Sequence, residues 1–188
     1  DLPVHADLKD VLRSLLSQYS GKTPAPHREY LDWCTERRHK YPVVLPSYRG
    51  GKDGINPYAF VEALFSALPE NECVVSGDGT ACVVSFQAAQ LKKGQRLYTN
   101  SGCAPMGYDL PAAVGASIAS DKGRVVCLAG DGSIQMNLQE LQTIVTHRLP
   151  IKIFILNNQG YHSIRQTQQN FFPDNIVGCG TESGLGFP

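Results

Sequence analysis

The chain has 188 residues, of which 42% are hydrophobic, and this is enough for a single buried core in a domain of ordinary size. Basic and acidic residues number 17 each, and no basic run with interleaved aromatic residues occurs, so neither nucleic acid nor an anionic membrane is indicated as a partner. No apolar run approaches the roughly 20 residues of a membrane span, and the first residues lack the pattern of a signal peptide. We therefore expect a cytoplasmic protein that binds a small molecule.

Residues 1–54 are predicted to form leader helices and a linker ahead of the domain proper. An amphipathic helix is predicted over residues 7–20 and a more polar helix over residues 28–40. Between residues 43 and 54 the composition turns to Pro, Gly, Tyr and Lys without periodicity, which indicates an exposed loop. The remaining residues, 55–188, are expected to form an α/β domain that is truncated at its C-terminus.

The domain is predicted to open with a helix that has Asn56 as N-cap and Pro57 at its first position. A short apolar strand from Cys73 to Ser76 follows and ends in a glycine loop, Gly77-Asp78-Gly79-Thr80. The next helix has Phe86 and Leu91 as its apolar markers. A second strand, from Arg96 to Thr99, precedes a helix of small residues that can pack close to the sheet. The apolar positions of that helix are Leu110, Ala113, Val114, Ala116 and Ile118.

The second half of the domain contains a predicted strand, helix and strand. Apolar runs from Val125 to Ala129 and from Ile151 to Leu156 predict the strands, and one helix is predicted between them. Its apolar stripe consists of Leu138, Leu141, Ile144 and Val145. Such a crossover makes the strands parallel, so the loop after each strand emerges at the same edge of the sheet, where open α/β sheets bind ligands.

The two loops carry Gly130-Asp131-Gly132-Ser133 and Asn157-Asn158. Glycines let the backbone approach a ligand, and the N–H groups that open a helix favour an anion, which Asp131 alone would repel. A cation resolves this conflict, because Mg²⁺ takes oxygen ligands and Asp131 with the amide of Asn158 offers them. The alternative is that Asp131 caps a helix and the asparagines merely end a strand.

The Gly130-Asp131-Gly132 motif, with Asn158 27 positions beyond the aspartate (158 − 131), resembles the diphosphate and magnesium motif of thiamine diphosphate (ThDP) enzymes in the acetolactate synthase and 2-oxoacid decarboxylase group. This resemblance covers roughly residues 55–172. It implies that the leader connects a preceding domain to this one and that the chain is a piece of a longer protein. It implies a doubly wound, mostly parallel sheet with helices on both faces. It also implies that Asp131, Asn158 and the main-chain carbonyl of Gly160 hold Mg²⁺.

The run from Ser101 to Ala116 resembles another segment of the same family, in which a large apolar residue holds the cofactor in a bent shape. Met106 matches that residue and is the one catalytic assignment. By the same match, the carbonyl of Ala104 accepts from the 4′-amino group and the N–H of Met106 binds the pyrimidine ring. Thr80 is the candidate diphosphate contact in the first glycine loop. The full set of cofactor residues implied is Gly79, Thr80, Ala104, Met106, Gly130, Asp131, Gly132, Ser133, Asn158, Gly160 and Tyr161.

The resemblance implies an acetolactate synthase-like enzyme that decarboxylates a 2-oxo acid and transfers the carbanion to a second carbonyl compound. A pyrimidine-binding domain of the same or a neighbouring subunit would supply an essential glutamate, in a homodimer or homotetramer, so the fragment alone should be inactive. Acetolactate synthases usually have Gln-His where this chain has Thr80-Ala81, and a Trp after the Asn motif that this chain lacks. Simple 2-oxoacid decarboxylation is therefore an alternative.

Further interpretations concern the class of the protein and individual residues of the chain. A Rossmann-type nucleotide-binding module would need a third glycine that the Gly130 loop lacks, and a non-catalytic cofactor-binding subunit is also open. His162 and Arg165 are either carboxylate ligands or solvated loop residues. Asp78 also lies between glycines but has no asparagine pair at the matching distance. The six cysteines form no C-x-x-C pair and lie mostly in apolar segments, which favours structural thiols over a zinc site.

Overall fold

A computed structural model of the chain describes residues 3–21, 27–52, 54–184 and 186. The chain divides into two units, residues 1–42 and 43–188. The loop of residues 43–54, which the sequence analysis assigned to the leader, thus belongs to the larger unit. None of the helices within the described ranges is long and apolar enough to cross a membrane.

The smaller unit contains two helices, α1 (Leu8–Tyr19) and α2 (Arg28–Lys40). Asp7 is the N-cap of α1, because its carboxylate accepts a hydrogen bond from the Lys9 N–H at 2.9 Å. The apolar stripe of α1 is exposed, with Leu8 at 70% and Leu16 at 72% of full exposure.

The larger unit alternates helices and strands. In chain order its elements are α3 (Pro57–Ala67), β1 (Cys73–Ser76), α4 (Thr80–Ala88), β2 (Arg96–Tyr98), α5 (Asp109–Ala119), β3 (Val125–Gly130), α6 (Asp131–Ile134), α7 (Glu140–His147), β4 (Ile151–Leu156) and α8 (His162–Phe171). The start of α3 is as predicted, since the Asn56 side chain accepts from the Tyr58 N–H at 2.9 Å and Pro57 is the first helical residue.

The four strands form one sheet in the order β2-β1-β3-β4, and every pairing in it is parallel. Ser76 at the end of β1 pairs with Leu128 in β3, and Gly130 at the end of β3 pairs with Leu156 in β4. The predicted doubly wound α/β fold is confirmed. The loops that follow all four strands consequently meet at one edge of the sheet.

Alternation along β3 separates two hydrophobic cores, one on each face of the sheet. Cys127 and Ala129 face one side and pack with α5 and α7, whereas Val126 and Leu128 face the other side and pack with α3 and α4. All four residues are at most 1% exposed. Since a parallel sheet needs helices on both faces, an almost continuous apolar strand such as β3 is expected at its centre.

The prediction of one helix between β3 and β4 is wrong, because the segment consists of α6, a 3₁₀ turn over residues 135–137, and α7. Side-chain hydrogen bonds hold the break in place: Asn137 donates to the Gly107 carbonyl at 2.7 Å and accepts from Gln139 at 2.9 Å. The predicted stripe is correspondingly incomplete. Ile144 is buried, but Leu138 and Val145 are 44% and 69% exposed.

Three apolar markers of predicted helices lie outside the core. Phe86 is 59% exposed, and Leu91 lies beyond the end of α4 and is 54% exposed. Ala81, Val84 and Ala88 form the buried face of α4 instead. Ile118 in α5 is 57% exposed, although Leu110, Ala113 and Val114 are buried as predicted. Small residues fill both helix–sheet contacts because they let the helices approach closely.

The cysteines are all free thiols with different degrees of burial. Cys82, Cys127 and Cys179 are buried, which agrees with structural thiols, but Cys103 is exposed. Burial raises the pKa of the Cys127 thiol to about 12, so this side chain stays neutral at physiological pH.

Candidate functional site

A cleft with a volume of about 190 Å³ lies at the carboxyl ends of the strands, where the loops after them meet. All eleven residues that the sequence analysis assigned to the cofactor line this cleft. Four residues outside that set complete the lining: Asp78, His162, Ser163 and Ile164. A concave site at this edge is the expected place for a ligand in an open α/β sheet.

Asp131 is held in a fixed orientation at the bottom of the cleft. It is 1% exposed, and its Oδ1 accepts from the Gly132 N–H at 3.0 Å while Oδ2 accepts from the Gly160 N–H at 2.8 Å. The second bond crosses from the loop after β3 to the loop after β4. Each carboxylate oxygen keeps a lone pair for a further ligand, so the two bonds orient the group without saturating it.

The side chain of Asn158 offers an unused acceptor at the same cleft. Its Oδ1 is buried, yet it has no hydrogen-bond partner among the described residues. A buried, unsatisfied amide oxygen is unfavourable by roughly 1–3 kcal/mol, and a cation would satisfy it. Within the described ranges no group of three His, Cys, Asp or Glu side chains could hold a metal. The Asp131 carboxylate and the Asn158 amide oxygen are donors of the kind that a hard cation such as Mg²⁺ takes, together with carbonyl and phosphate oxygens.

Gly160 packs against the segment of residues 179–180. Its φ is +129°, and a methyl group added to it would collide with the carbonyl oxygen of Cys179, so glycine is required here. The Tyr161 N–H donates to the same carbonyl at 2.9 Å. The carbonyl of Gly160, the predicted metal ligand, accepts from the His162 N–H at 3.1 Å and retains a second lone pair.

Arg165 binds the backbone of the loop after β4 and does not line the cleft. Its guanidinium donates to the carbonyl oxygens of Asn158 and Gln159, both at 3.0 Å. The alternative that Arg165 binds a substrate carboxylate is thus opposed by its geometry, because two of its donors hold the loop that carries Asn158. His162 does line the cleft.

Tyr161 and Gly132 meet at the side of the cleft. A methyl group on Gly132 would lie 2.5 Å from the ring carbon Cε1 of Tyr161, so the ring occupies the space that the missing side chain leaves. Gly132 thereby allows the loops after β3 and β4 to approach each other closely.

The first glycine loop lines the cleft from β1. Gly79, with φ +63°, is the N-cap of α4, and Thr80 is the first residue of that nine-residue helix. N–H groups at the start of a helix favour an anion, in agreement with the predicted diphosphate contact of Thr80. Asp78 lines the cleft as well, so the residue set aside in the sequence analysis is close to the site.

Ala104 and Met106 lie in the loop after β2. Ala104 has a φ of +46°, a conformation that costs a non-glycine residue roughly 1–2 kcal/mol, and its N–H donates to the Asn100 carbonyl at 2.7 Å. Met106 is 38% exposed on the cleft wall. Met106 is therefore not buried in the core, and its contact with the cofactor stays a prediction.

Ser133 uses its hydroxyl inside the protein. The group donates to Asp109 Oδ2 at 2.7 Å and accepts from the Gly107 N–H at 2.9 Å. Asp109, at 0% exposure, and Asn137 were not identified from the sequence as parts of the site. The available signal was Asp109 at a helix start before Leu-Pro, which reads equally well as an ordinary cap.

The glycine loops and acidic group at the carboxyl ends of a parallel sheet define an α/β cofactor-binding domain. Residues 71–185 match the family described as "Thiamine pyrophosphate enzyme, C-terminal TPP binding domain". The chain belongs to this family, and thiamine pyrophosphate is the same compound as ThDP. The Rossmann-type alternative is thereby set aside.

Several relatives are large subunits of acetolactate synthases. The chain is 35% identical over 175 residues to the acetolactate synthase large subunit of Cyanidium caldarium, covering 91% of this chain and 29% of that protein. Identity to acetolactate synthase isozyme 2 large subunit of Escherichia coli K12 is 35% over 173 residues, with coverage of 90% and 30%. Isozyme 1 large subunit of the same bacterium is 28% identical over 173 residues, with coverage of 92% and 30%. The chain thus spans under a third of the length of these relatives.

Proposed function

We propose that this chain supplies the ThDP- and Mg²⁺-binding domain of an acetolactate synthase-like enzyme, which decarboxylates a 2-oxo acid and transfers the remaining fragment to a second carbonyl compound. One observation carries the proposal: the Asp131 carboxylate, oriented by two backbone N–H groups, shares a cleft with the unsatisfied buried oxygen of Asn158. Together with the Gly160 carbonyl and phosphate oxygens, these donors suit Mg²⁺.

The chain's own residues then bind and orient the cofactor. Asp131, Asn158 and Gly160 would hold the metal, and Thr80 with the loop after β3 would hold the diphosphate. Ala104 and Met106 would bind the pyrimidine ring, and the Met106 side chain would impose the bent shape, because a thioether adapts to an irregular gap. When bound, ThDP supplies a thiazolium carbon that adds to the keto carbon of a 2-oxo acid and takes up the electron pair released with CO₂.

A second domain is needed to complete this site. Ala104 is exposed and Met106 is 38% exposed, so a ring bound there remains open to water on one side. A pyrimidine-binding domain of the same or a neighbouring subunit would cover it, in a homodimer or homotetramer. These 188 residues alone should bind ThDP weakly and catalyse nothing. Sedimentation of the full-length protein, with and without ThDP, measures the oligomeric state, and a catalytically active monomer would contradict this assembly.

Calorimetry on the full-length protein tests the metal site. Asp131→Ala and Asn158→Ala should each abolish measurable Mg²⁺-dependent ThDP binding, because they remove the carboxylate and the side-chain amide of the proposed shell. Asp78→Asn is the matched control, since Asp78 lines the same cleft, and its affinity should stay within about tenfold of wild type. Wild-type affinity in either alanine variant would show that the ligand assignment is wrong.

Simple 2-oxoacid decarboxylation is the second candidate, and Thr80-Ala81 in place of the usual Gln-His favours it. NMR of the products formed by the full-length protein from a 2-oxo acid separates the two, because carboligation yields a new carbon–carbon bond and decarboxylation an aldehyde. ThDP binding without CO₂ release would identify a non-catalytic cofactor-binding subunit.

A further inference from the structure

The carboxylate of Asp109 is completely buried beside the cleft but is not among the cleft-lining residues. Asp109 is the first residue of α5 and is 0% exposed. Its Oδ1 accepts from the Leu110 N–H at 3.0 Å, and its Oδ2 accepts from the Ser133 hydroxyl at 2.7 Å. A buried carboxylate is retained only where hydrogen bonds compensate its desolvation, and the start of a helix favours its negative charge.

This carboxylate touches two of the loops that form the cleft. Through Ser133 it binds the loop after β3. It also fills the space above Gly77 in the loop after β1, since a methyl group on Gly77 would lie 2.6 Å from Asp109 Oδ2. The side chain of Asp109 therefore lies between the loop after β1 and the loop after β3 and contacts both.

Ser133 extends the connection to a third loop. Its oxygen accepts from the Gly107 N–H at 2.9 Å, and Asn137 donates to the Gly107 carbonyl at 2.7 Å. Both polar groups of Gly107, the residue next to Met106, are thus held by the segment after β3. The single hydrogen of the Ser133 hydroxyl points at Asp109, so this side chain cannot donate it to a diphosphate at the same time.

We propose that Asp109 is a positioning residue that acts through Ser133. It fixes the loop after β2, which carries Met106, relative to the loops after β1 and β3, which carry the proposed diphosphate contacts. This inference rests on the proposed function and adds a residue that does not itself touch the cofactor. Asp109 sets how the pyrimidine end of ThDP is held relative to its diphosphate end. Loss of the carboxylate should therefore impair the geometry of the bound cofactor more than the binding of its diphosphate.

The test compares Asp109→Asn with wild type in the full-length protein. The asparagine has the same shape, but its Oδ1 can still accept from Leu110 only if its Nδ2 faces Ser133 as a donor. The Ser133 hydroxyl then loses its acceptor, and its bond to Gly107 is reoriented. Without cofactor, amide hydrogen exchange of residues 101–108 should become roughly tenfold faster, as expected for losing a charged hydrogen bond.

With cofactor, two affinities and one rate are measured. The affinity for magnesium pyrophosphate should stay within about threefold of wild type, and that for ThDP should fall by roughly tenfold. Hydrogen–deuterium exchange at C2 of the bound ThDP, followed by NMR at saturation, should slow by roughly tenfold or more. Glu72→Gln is the matched control. Glu72 also has a buried carboxylate, which accepts hydrogen bonds from Arg124, but it precedes β1 and thus lies at the opposite edge of the sheet from the cleft. It should lower thermal stability without slowing C2 exchange.

Three outcomes overturn the inference. One is a C2 exchange rate in Asp109→Asn equal to that of Glu72→Gln, which would make Asp109 an ordinary buried polar group. Another is an equal loss of pyrophosphate and ThDP affinity, which would place its effect on the diphosphate site. If Asp109→Asn does not fold, Ser133→Ala decides, since it removes the hydroxyl that bridges Asp109 and Gly107. Unchanged C2 exchange in that variant is the third outcome. Failure of the proposed function is seen separately, as wild-type ThDP affinity in Asp131→Ala.

Discussion

Replacing Gly160 by alanine tests how the loop after β4 builds the metal site. The Gly160 N–H donates to Asp131 Oδ2 at 2.8 Å, and its φ of +129° is one that L-residues rarely adopt. An added methyl group would also collide with the Cys179 carbonyl, which is backbone and cannot rotate away. Alanine must therefore move the loop, and the bond to Asp131 is lost with it.

The structure gives the size of the effect. The strained backbone costs roughly 1–3 kcal/mol of folding free energy. A hydrogen bond to a charged carboxylate contributes about 1.5–3 kcal/mol. If only the latter term is transmitted to the metal site, the affinity for ThDP in the presence of Mg²⁺ should fall between about 10-fold and 150-fold, at about 1.4 kcal/mol per factor of ten.

The assay is calorimetric titration of the full-length protein with ThDP at saturating Mg²⁺, with Gly178→Ala as the matched control. Gly178 also has a positive φ, of +67°, but a methyl group there meets nothing within 4 Å. It should cost about 1–2 kcal/mol of stability and leave ThDP affinity unchanged. Equal affinities in the two variants would refute the reasoning that Gly160 orients Asp131.

Three further predictions concern other parts of the domain. Met106→Ala should slow C2 proton exchange of bound ThDP while affinity stays within about tenfold, because the metal and phosphate contacts lie elsewhere; an unchanged rate by NMR would mean ordinary packing. Arg165→Ala should weaken Mg²⁺-dependent ThDP binding by about tenfold, since it frees the carbonyls of Asn158 and Gln159. A raised KM for the 2-oxo acid at unchanged ThDP affinity would instead show that Arg165 binds the substrate carboxylate. Burial raises the pKa of Cys127 from 9.0 to about 12, so this thiol deprotonates in the unfolded chain at a lower pH than in the folded protein. The free energy of unfolding should therefore fall as the pH rises above 9. Denaturant unfolding at pH 8 and pH 10 should show a smaller fall in this free energy for Cys127→Ala than for wild type.

The position of the cleft and most of its lining could be predicted from the sequence, because both depend on backbone topology. Asp131 and Asn158 follow apolar strands joined by a helical crossover, and parallel pairing then brings them to one edge whatever the helix details are. The glycines of these loops could also be recognised from the sequence as places of close backbone approach. At Gly160 the requirement for glycine is local, since it arises from one φ angle and one backbone contact.

The features that could not be predicted depend on side-chain contacts, which leave no periodic pattern in the sequence. The break between α6 and α7 is held by Asn137, whose partner at Gly107 is 30 positions away. Phe86 is apolar and helical, yet 59% exposed, so periodicity alone could not show that the smaller Ala81 and Val84 face the sheet. Asp109 was overlooked because a helix-start aspartate is common, and only its burial against Ser133 distinguishes it.

Anomalous diffraction from crystals of the full-length protein grown with ThDP and Mn²⁺ in place of Mg²⁺ tests the central claim most directly. We expect one manganese peak in contact with the Asp131 carboxylate, the Asn158 amide oxygen and the Gly160 carbonyl, at the roughly 2.0–2.2 Å usual for small divalent cations with oxygen ligands. A bound cofactor with manganese on Asp78 instead, or with no metal between its diphosphate and Asp131, would contradict the account.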